Sequence, residues 1–96
     1  MVRIKGSYST NNSDRMLILY SISDGIRTLN VEDLKSHINE IIIYKDPGSE
    51  ESQLYILKDV SNNGYMNYIV LSSVIPGCAF SFTVYISRVI NKSLAI

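Results

Sequence analysis

Hydrophobic and polar residues alternate along the first ten positions of the chain. Apolar or small residues lie on one side and polar residues on the other, with Val2, Ile4, Gly6 and Tyr8 opposite Arg3, Lys5, Ser7 and Ser9. A period of two is typical of a half-buried strand, so residues 2–9 are predicted to form one. After a polar turn at 10–14, residues 15–23 are apolar on both faces, which predicts a strand in the middle of a sheet.

The pattern changes after residue 23. Asp24-Gly25 predicts a two-residue hairpin leading into a short third strand at 26–29, because glycine accepts the positive φ that a type I′ turn needs. Asn30 is a favourable N-cap for a helix. The apolar residues after it recur at helical spacing, at Val31, Leu34, Ile38 and Ile41. We therefore predict one helix over residues 30–40.

The second half of the chain is predicted to consist of strands separated by turns. The strands are expected at residues 41–44, 53–60, 65–74 and 79–90. The segments between them are rich in turn residues, at 45–52, 61–64 and 75–77. The chain thus predicts one domain over residues 1–96, of the α+β class, with a mainly antiparallel β-sheet of six or seven short strands and one helix. A small β-barrel is the alternative.

No charged residue occurs between Met66 and Ser87, a run of 22 residues. Its length would allow a membrane-spanning helix. The period-two alternation after Ala79 and the interspersed polar residues argue against that interpretation. Two others remain open. The run is a hairpin buried on both faces, or one of its faces is covered by a second copy or a partner, since depletion of charge marks obligate interfaces.

Aromatic residues are the candidates for a recognition surface. The chain has seven tyrosines, and tyrosine combines a large contact area with a polar tip. If the uncharged hairpin contacts a partner, its aromatic and apolar side chains are the binding residues. They are Tyr65, Tyr68, Phe80, Phe82, Val84 and Tyr85.

Charge and cysteine content narrow the function classes. The formal net charge is +0, which disfavours nucleic-acid binding and attachment to an anionic membrane surface, because both depend on a basic excess. Cys78 is the only cysteine, so the chain forms no internal disulfide and no multi-cysteine zinc site. Its apolar neighbours predict a small buried hydrophobe. The first residues lack the apolar run of a signal peptide, and we expect a cytoplasmic protein.

No motif in the sequence predicts catalysis, a metal site or a cofactor. His37 is the only histidine, and no nucleophile is tied to it. Serine never occurs in a Gly-x-Ser-x-Gly context, and no glycine-rich phosphate loop is present. Asp46, Glu50 and Glu51 share one loop around Pro47-Gly48, where three carboxylates are expected to form a solvated tip.

These features favour a small non-enzymatic protein-interaction module, an inhibitor or adaptor that works as a homo-oligomer. Isoleucine, serine and asparagine are abundant and alanine is scarce, as in AT-rich coding sequences, which favours a viral, phage or mobile-element origin. The alternative is a small-molecule binding protein, for example for a nucleotide, with a pocket between protomers. An enzyme that uses His37 is a third hypothesis.

Overall fold

The computed structural model describes residues 1–10, 16–87 and 89. Within them, six strands form one sheet in the order β2-β1-β3-β4-β5-β6. The elements along the chain are β1 Arg3–Thr10, β2 Met16–Ser23, a 3₁₀ helix Glu32–His37, β3 Ile41–Lys45, β4 Gln53–Asn62, β5 Asn67–Ser73 and β6 Ser81–Ile86. The predicted small, β-rich fold is confirmed, and so are most of the predicted strands. The α+β class is not, because the described residues contain almost no helix.

The sheet is mixed rather than purely antiparallel. β1 and β3 run parallel, with Arg3 opposite Ile43. The other neighbouring strands pair antiparallel. The parallel pair arises because the chain leaves β2 and crosses back over the sheet before it enters β3 beside β1. Among the described residues the sheet stays open, so the alternative of a closed barrel is wrong as well.

The prediction that residues 15–23 lie centrally in the sheet is wrong. β2 is the first strand of the sheet, next to β1 alone. Its free side is covered by irregular chain rather than by another strand. The backbone N–H of Leu29 donates to the carbonyl of Ile22 at 2.8 Å, and Val89 forms a single parallel bridge with Tyr20. This cover explains why β2 is apolar on both faces although it lies at the edge.

The predicted third strand and helix are also corrected. Residues 26–29 contribute one bridge, from Thr28 to Ser23. The α-helix over residues 30–40 is replaced by a six-residue 3₁₀ helix, in which the N–H of Leu34 donates to the carbonyl of Val31 at 3.0 Å. Its N-cap is Val31 rather than Asn30, and no side chain caps it.

The segment is too tightly held for an α-helix. Leu29 is bonded to β2 at one end, and the N–H of Asn39 donates to the carbonyl of Leu57 in β4 at 2.6 Å at the other. Asn39 adopts a φ of 75°, a left-handed conformation that asparagine tolerates better than most residues. This residue turns the chain from the helix into β3, so the β-branched run from Ile41 begins as a strand.

The core lies on one face of the sheet, and that face is concave. Tyr44 in β3 and Phe82 in β6 belong to strands three positions apart, about 14 Å in a flat sheet at the usual strand spacing. Their ring centroids are 6.1 Å apart, so the sheet curls towards them. In β4 the register shifts between Leu57 and Asp59, which places Leu57 and Val60 on the same, inner face.

The buried residues of the concave face form one cluster. It comprises Val2, Ile4, Tyr20, Ile22, Leu29, Val31, Leu34, Ile42, Tyr44, Leu57, Val60, Ile69, Leu71, Val84 and Ile86. The 3₁₀ helix contributes through Leu34, which is fully buried. The curl of the sheet supplies further cover, because buried side chains from both halves of the sheet belong to this one cluster.

Candidate functional site

Two loops meet at one end of the concave face. β3 to β6 form an antiparallel meander, so the β3–β4 loop and the β5–β6 loop emerge at the same end of the sheet. Tyr44 lies near the end of β3, next to the first loop, and Tyr55 lies near the start of β4. The N–H of Ser73 donates to the carbonyl of Phe80 at 3.0 Å, which holds the second loop closed just before β6. The topology thus brings aromatic residues from three segments to this end.

Four aromatic rings pack together there. Tyr55 and Phe82 are in edge contact, with centroids 5.0 Å apart and an interplanar angle of 80°. Tyr44 lies 6.1 Å from each of them, and Phe80 lies 5.6 Å from Phe82. Edge-to-face packing of this kind is favourable beyond the burial of area. The cluster therefore has a defined shape and is graded in exposure, from the buried Tyr44 to the exposed Phe80.

The rings form one wall of an open cleft with a volume of about 300 Å³. The opposite wall is polar and comes from the β3–β4 loop and the first residue of β4. Its members are Asp46, Ser49, Glu51 and Gln53. The cleft therefore combines an aromatic wall with two carboxylates, a hydroxyl and an amide. We call it the aromatic cleft.

Hydrogen bonds fix the polar wall. The Tyr44 hydroxyl donates to Oδ1 of Asp46 at 3.1 Å, and the Tyr55 hydroxyl donates to Oε1 of Gln53 at 2.9 Å. Within the loop, the N–H of Ser49 donates to the carbonyl of Asp46 at 3.0 Å, and the Ser49 hydroxyl donates to the carbonyl of Glu51 at 3.1 Å. The tyrosines thus link the aromatic wall to the polar wall, so the cleft is largely preformed.

The electrostatics of the cleft keep its inner tyrosine protonated. Burial raises the pKa of Tyr44 well above its ordinary value, and the nearby Tyr20 and the charge of Asp46 raise it further. Burial also raises the pKa of Tyr20. A hydroxyl in this state acts as a hydrogen-bond donor at neutral pH and does not supply a tyrosinate base or nucleophile.

The six binding residues predicted from the sequence occupy four different places. They are Tyr65, Tyr68, Phe80, Phe82, Val84 and Tyr85. Phe80 and Phe82 line the aromatic cleft. Val84 is buried in the core. Tyr68 and Tyr85 pair on the outer face of the sheet, with ring centroids 6.0 Å apart, and Tyr65 is exposed at the β4–β5 turn.

Sequence reasoning missed half of the aromatic wall. Tyr44 and Tyr55 were not among the predicted binding residues, and no signal in the sequence showed that β3 and β4 bring them to Phe82. The loop carboxylates were expected to form a solvated tip. All three carboxylates are exposed, as expected, but Asp46 and Glu51 also line the cleft, whereas Glu50 does not. No signal in the sequence showed that this loop places two of its carboxylates beside the rings.

The outer face carries an apolar patch of its own. Ile41 and Ile43 of β3 lie opposite Ile56 and Leu54 of β4. Ile41 and Leu54 are exposed by 47% and 49%, and the other two are half-buried. This patch lies on the side of the sheet opposite the aromatic cleft and is called the outer patch below.

Other candidate groups lie away from the aromatic cleft. His37 is half-buried at the end of the 3₁₀ helix, with Nδ1 2.9 Å from Oε1 of Glu40. Cys78 is exposed in the β5–β6 loop, so the prediction of a buried thiol is wrong. The loop turns there through a bond from the N–H of Cys78 to the carbonyl of Ile75 at 3.2 Å, which points the residue away from the core.

Residues 1–10, 16–87 and 89 show neither a cluster of metal ligands nor a membrane-spanning helix. In that part of the chain no three histidine, cysteine or carboxylate side chains are placed to hold a metal ion. Nor does it contain a helix with the length and apolar character needed to cross a membrane. No family model, curated protein or solved structure matches the chain.

Proposed function

We propose that this protein is a non-catalytic binding module and that the aromatic cleft is its recognition site for a protein partner. The observation that carries this proposal is the open cleft in which an exposed phenylalanine, Phe80, continues a packed cluster of three further rings. Aromatic side chains in a concave site are the usual anchors of protein recognition. An adaptor or inhibitor needs such a site and no reacting group.

The chemistry of the lining residues supports binding rather than catalysis. The hydroxyls of Tyr44 and Tyr55 are engaged as donors to Asp46 and Gln53. His37 is paired with Glu40 and does not line the cleft. A general base has to lie within hydrogen-bonding reach of a nucleophile or substrate proton, and the cleft offers carboxylates without such a pair.

Site-specific photo-crosslinking tests the proposal. A photoreactive phenylalanine analogue is placed at Phe80 or, as the matched control, at Tyr85. Both side chains are 53% exposed, but they lie on different faces of the sheet. In cells of the natural source, position 80 should give a defined crosslinked partner and position 85 should not. Crosslinks only from position 85, or none from either position, would contradict the proposal.

A small-molecule binding protein is the second candidate function. The cleft volume of about 300 Å³ fits a small ligand. A thermal-shift screen tests this candidate, because a ligand that binds only the folded state raises Tm. A shift that disappears in Phe80→Ala would favour it, and no shift with any compound would count against it.

We also propose self-association through the outer patch. Two exposed aliphatic side chains, Ile41 and Leu54, lie on adjacent strands with two half-buried isoleucines between them. The test is the mass in solution by light scattering. Leu54→Lys should convert a dimer into a monomer, whereas Ile26→Lys, at an apolar residue outside the patch that is 95% exposed, should not. A wild-type monomer would remove this part of the proposal.

A further inference from the structure

We infer that the aromatic cleft binds an organic cation, specifically the quaternary or alkylated ammonium group of a ligand. This inference rests on the proposed role of the cleft as a recognition site and names the chemistry that the cleft recognises. It combines two independent properties of the cleft, the charge of its polar wall and the nature of its aromatic wall.

The charge of the lining is entirely negative. Asp46 and Glu51 line the cleft, and none of its eight lining residues is lysine, arginine or histidine. The neighbouring Lys45 does not line it, and its Nζ donates to the backbone carbonyl of Asp46 at 3.4 Å. An anionic ligand would therefore meet two carboxylates without a counter-charge, whereas a cation would be attracted by both.

The aromatic wall supplies a second attraction for a cation. The faces of aromatic rings carry negative electrostatic potential, so a cation within about 6 Å of a ring centroid is stabilised. The rings of Tyr55 and Phe82 stand at 80° to each other, and that of Phe80 is tilted by 38° from Phe82. The three rings therefore do not lie in one plane. That arrangement suits a rounded ammonium group better than a flat ring system.

The size of the cleft limits the ligand. A volume of about 300 Å³ is at the lower end of the range for ligand pockets. It accommodates a trimethylammonium head with a short chain, or the end of one alkylated lysine side chain. The methyl groups of such a head contact the rings, and its charge remains within reach of the carboxylates. A strongly hydrated primary ammonium loses more solvation on entry, so alkylation favours binding.

Isothermal titration with a matched pair of probes tests the inference. Choline and 3,3-dimethylbutan-1-ol have the same shape, but only choline is charged. Choline should bind at least about threefold more tightly, given the usual strength of cation–π contacts. If the neutral alcohol binds equally well, or if neither probe binds, the inference is overturned.

Two substitutions in the cleft, each with a matched control outside it, test whether the cation binds in the aromatic cleft. Glu51→Gln should weaken choline binding about two- to fivefold, in line with exposed ion pairs, without changing binding of the neutral alcohol. Glu50→Gln removes the same charge from the adjacent exposed residue and should change neither. Phe80→Leu should reduce the preference for choline, whereas Tyr85→Leu, on the other face, should leave it unchanged. Equal losses in Glu50→Gln and Glu51→Gln would contradict a site in the cleft.

A second titration shows whether the ammonium group belongs to a partner protein or to a free metabolite. A peptide with trimethyllysine is compared with free choline and with the same peptide carrying unmodified lysine. Tighter binding of the trimethylated peptide assigns the group to a partner protein, and equal or tighter binding of choline assigns it to a free metabolite. Neutral-alcohol binding that is as tight as choline binding and is lost in Phe80→Ala would overturn the cation inference while leaving the cleft as the recognition site. Crosslinking only from position 85, on the outer face, would contradict both the cation inference and the proposed recognition site.

Discussion

The ring of Pro47 packs directly on the α-carbon of Gly6. A Cβ atom built on Gly6 would lie 2.7 Å from Cγ of Pro47 and 3.0 Å from the ring of Tyr20. Gly6 belongs to β1, and Pro47 belongs to the loop that forms the polar wall of the aromatic cleft. The absence of a side chain at Gly6 thus allows the loop to fold down onto the sheet, which places Asp46 and Glu51 beside the rings.

Gly6→Ala is predicted to disturb this contact. The added methyl group must displace Pro47 or Tyr20, and overpacking of this kind costs about 1–3 kcal/mol. The free energy of unfolding, measured by urea denaturation, should fall by that amount, and ligand binding in the cleft should weaken. Gly48→Ala is the control, because its Cβ would meet only ordinary contacts at 3.7 Å or more. Equal stability of Gly6→Ala and wild type would mean that the loop does not rest on β1.

The one-sided core predicts that two leucine substitutions in β4 have different effects on stability. Leu57 is fully buried and Leu54 is 49% exposed, although both belong to β4. Leu57→Ala should lower the free energy of unfolding by about 2–5 kcal/mol, the usual cost of a buried leucine. Leu54→Ala should cost less than about 1 kcal/mol. Comparable losses at both positions would contradict a core that lies on one face of β4, and a larger loss at Leu54 would mean that its two faces are assigned the wrong way round.

Alkaline pH should destabilise the fold through its buried tyrosines. Burial raises the pKa of Tyr44 and of Tyr20 in the folded protein. Both hydroxyls thus keep their protons to higher pH when the chain is folded. Their contribution to stability is fully present below about pH 10 and is lost as the pH rises above it. Thermal unfolding from pH 8 to 11 should show this decline, and Tyr44→Phe should reduce its slope. An unchanged slope in Tyr44→Phe would contradict the burial of that hydroxyl.

The left-handed residue Asn39 turns the chain from the 3₁₀ helix into β3. A β-branched residue is disfavoured at a φ of 75°, so Asn39→Val should lower the free energy of unfolding by about 1–2 kcal/mol or more. Asn39→Gly should be tolerated, because glycine adopts positive φ freely. Chemical denaturation of the two variants checks this. If both lose stability equally, the side chain of Asn39 rather than its backbone conformation is what matters.

Local patterns were sufficient to predict most of the strands. The alternation from Val2 and the alternation of Phe82, Val84 and Ile86 identified both the strands and their inner faces, because a one-sided core imposes a period of two. The β-branched run at Ile41 likewise marked β3. These signals are carried by neighbouring residues in the sequence and do not depend on how distant strands pair.

Most of the errors come from long-range contacts. Val31 and Leu34 suit an α-helix by spacing, but backbone bonds from Leu29 to β2 and from Asn39 to β4 hold the segment in a 3₁₀ helix. The sequence did not indicate that β2 is an edge strand, because β2 is apolar on both faces and irregular chain covers its free edge. The aromatic cleft depends on the curl that brings β3 to β6, which no local pattern contains, so only its Phe80 and Phe82 wall could be predicted.

The most direct test of the aromatic cleft as a preformed binding site is a fragment screen followed by two-dimensional ¹H–¹⁵N NMR of the whole protein. Small cationic, neutral and anionic fragments report where a chain has a preformed binding site, whatever its natural ligand is. Saturable shifts should concentrate on the lining of the aromatic cleft, at residues 44–53, 55 and 80–82. Shifts centred on the outer patch around Leu54 and Ile41 without Phe80, or no saturable shifts with any fragment, would contradict this prediction.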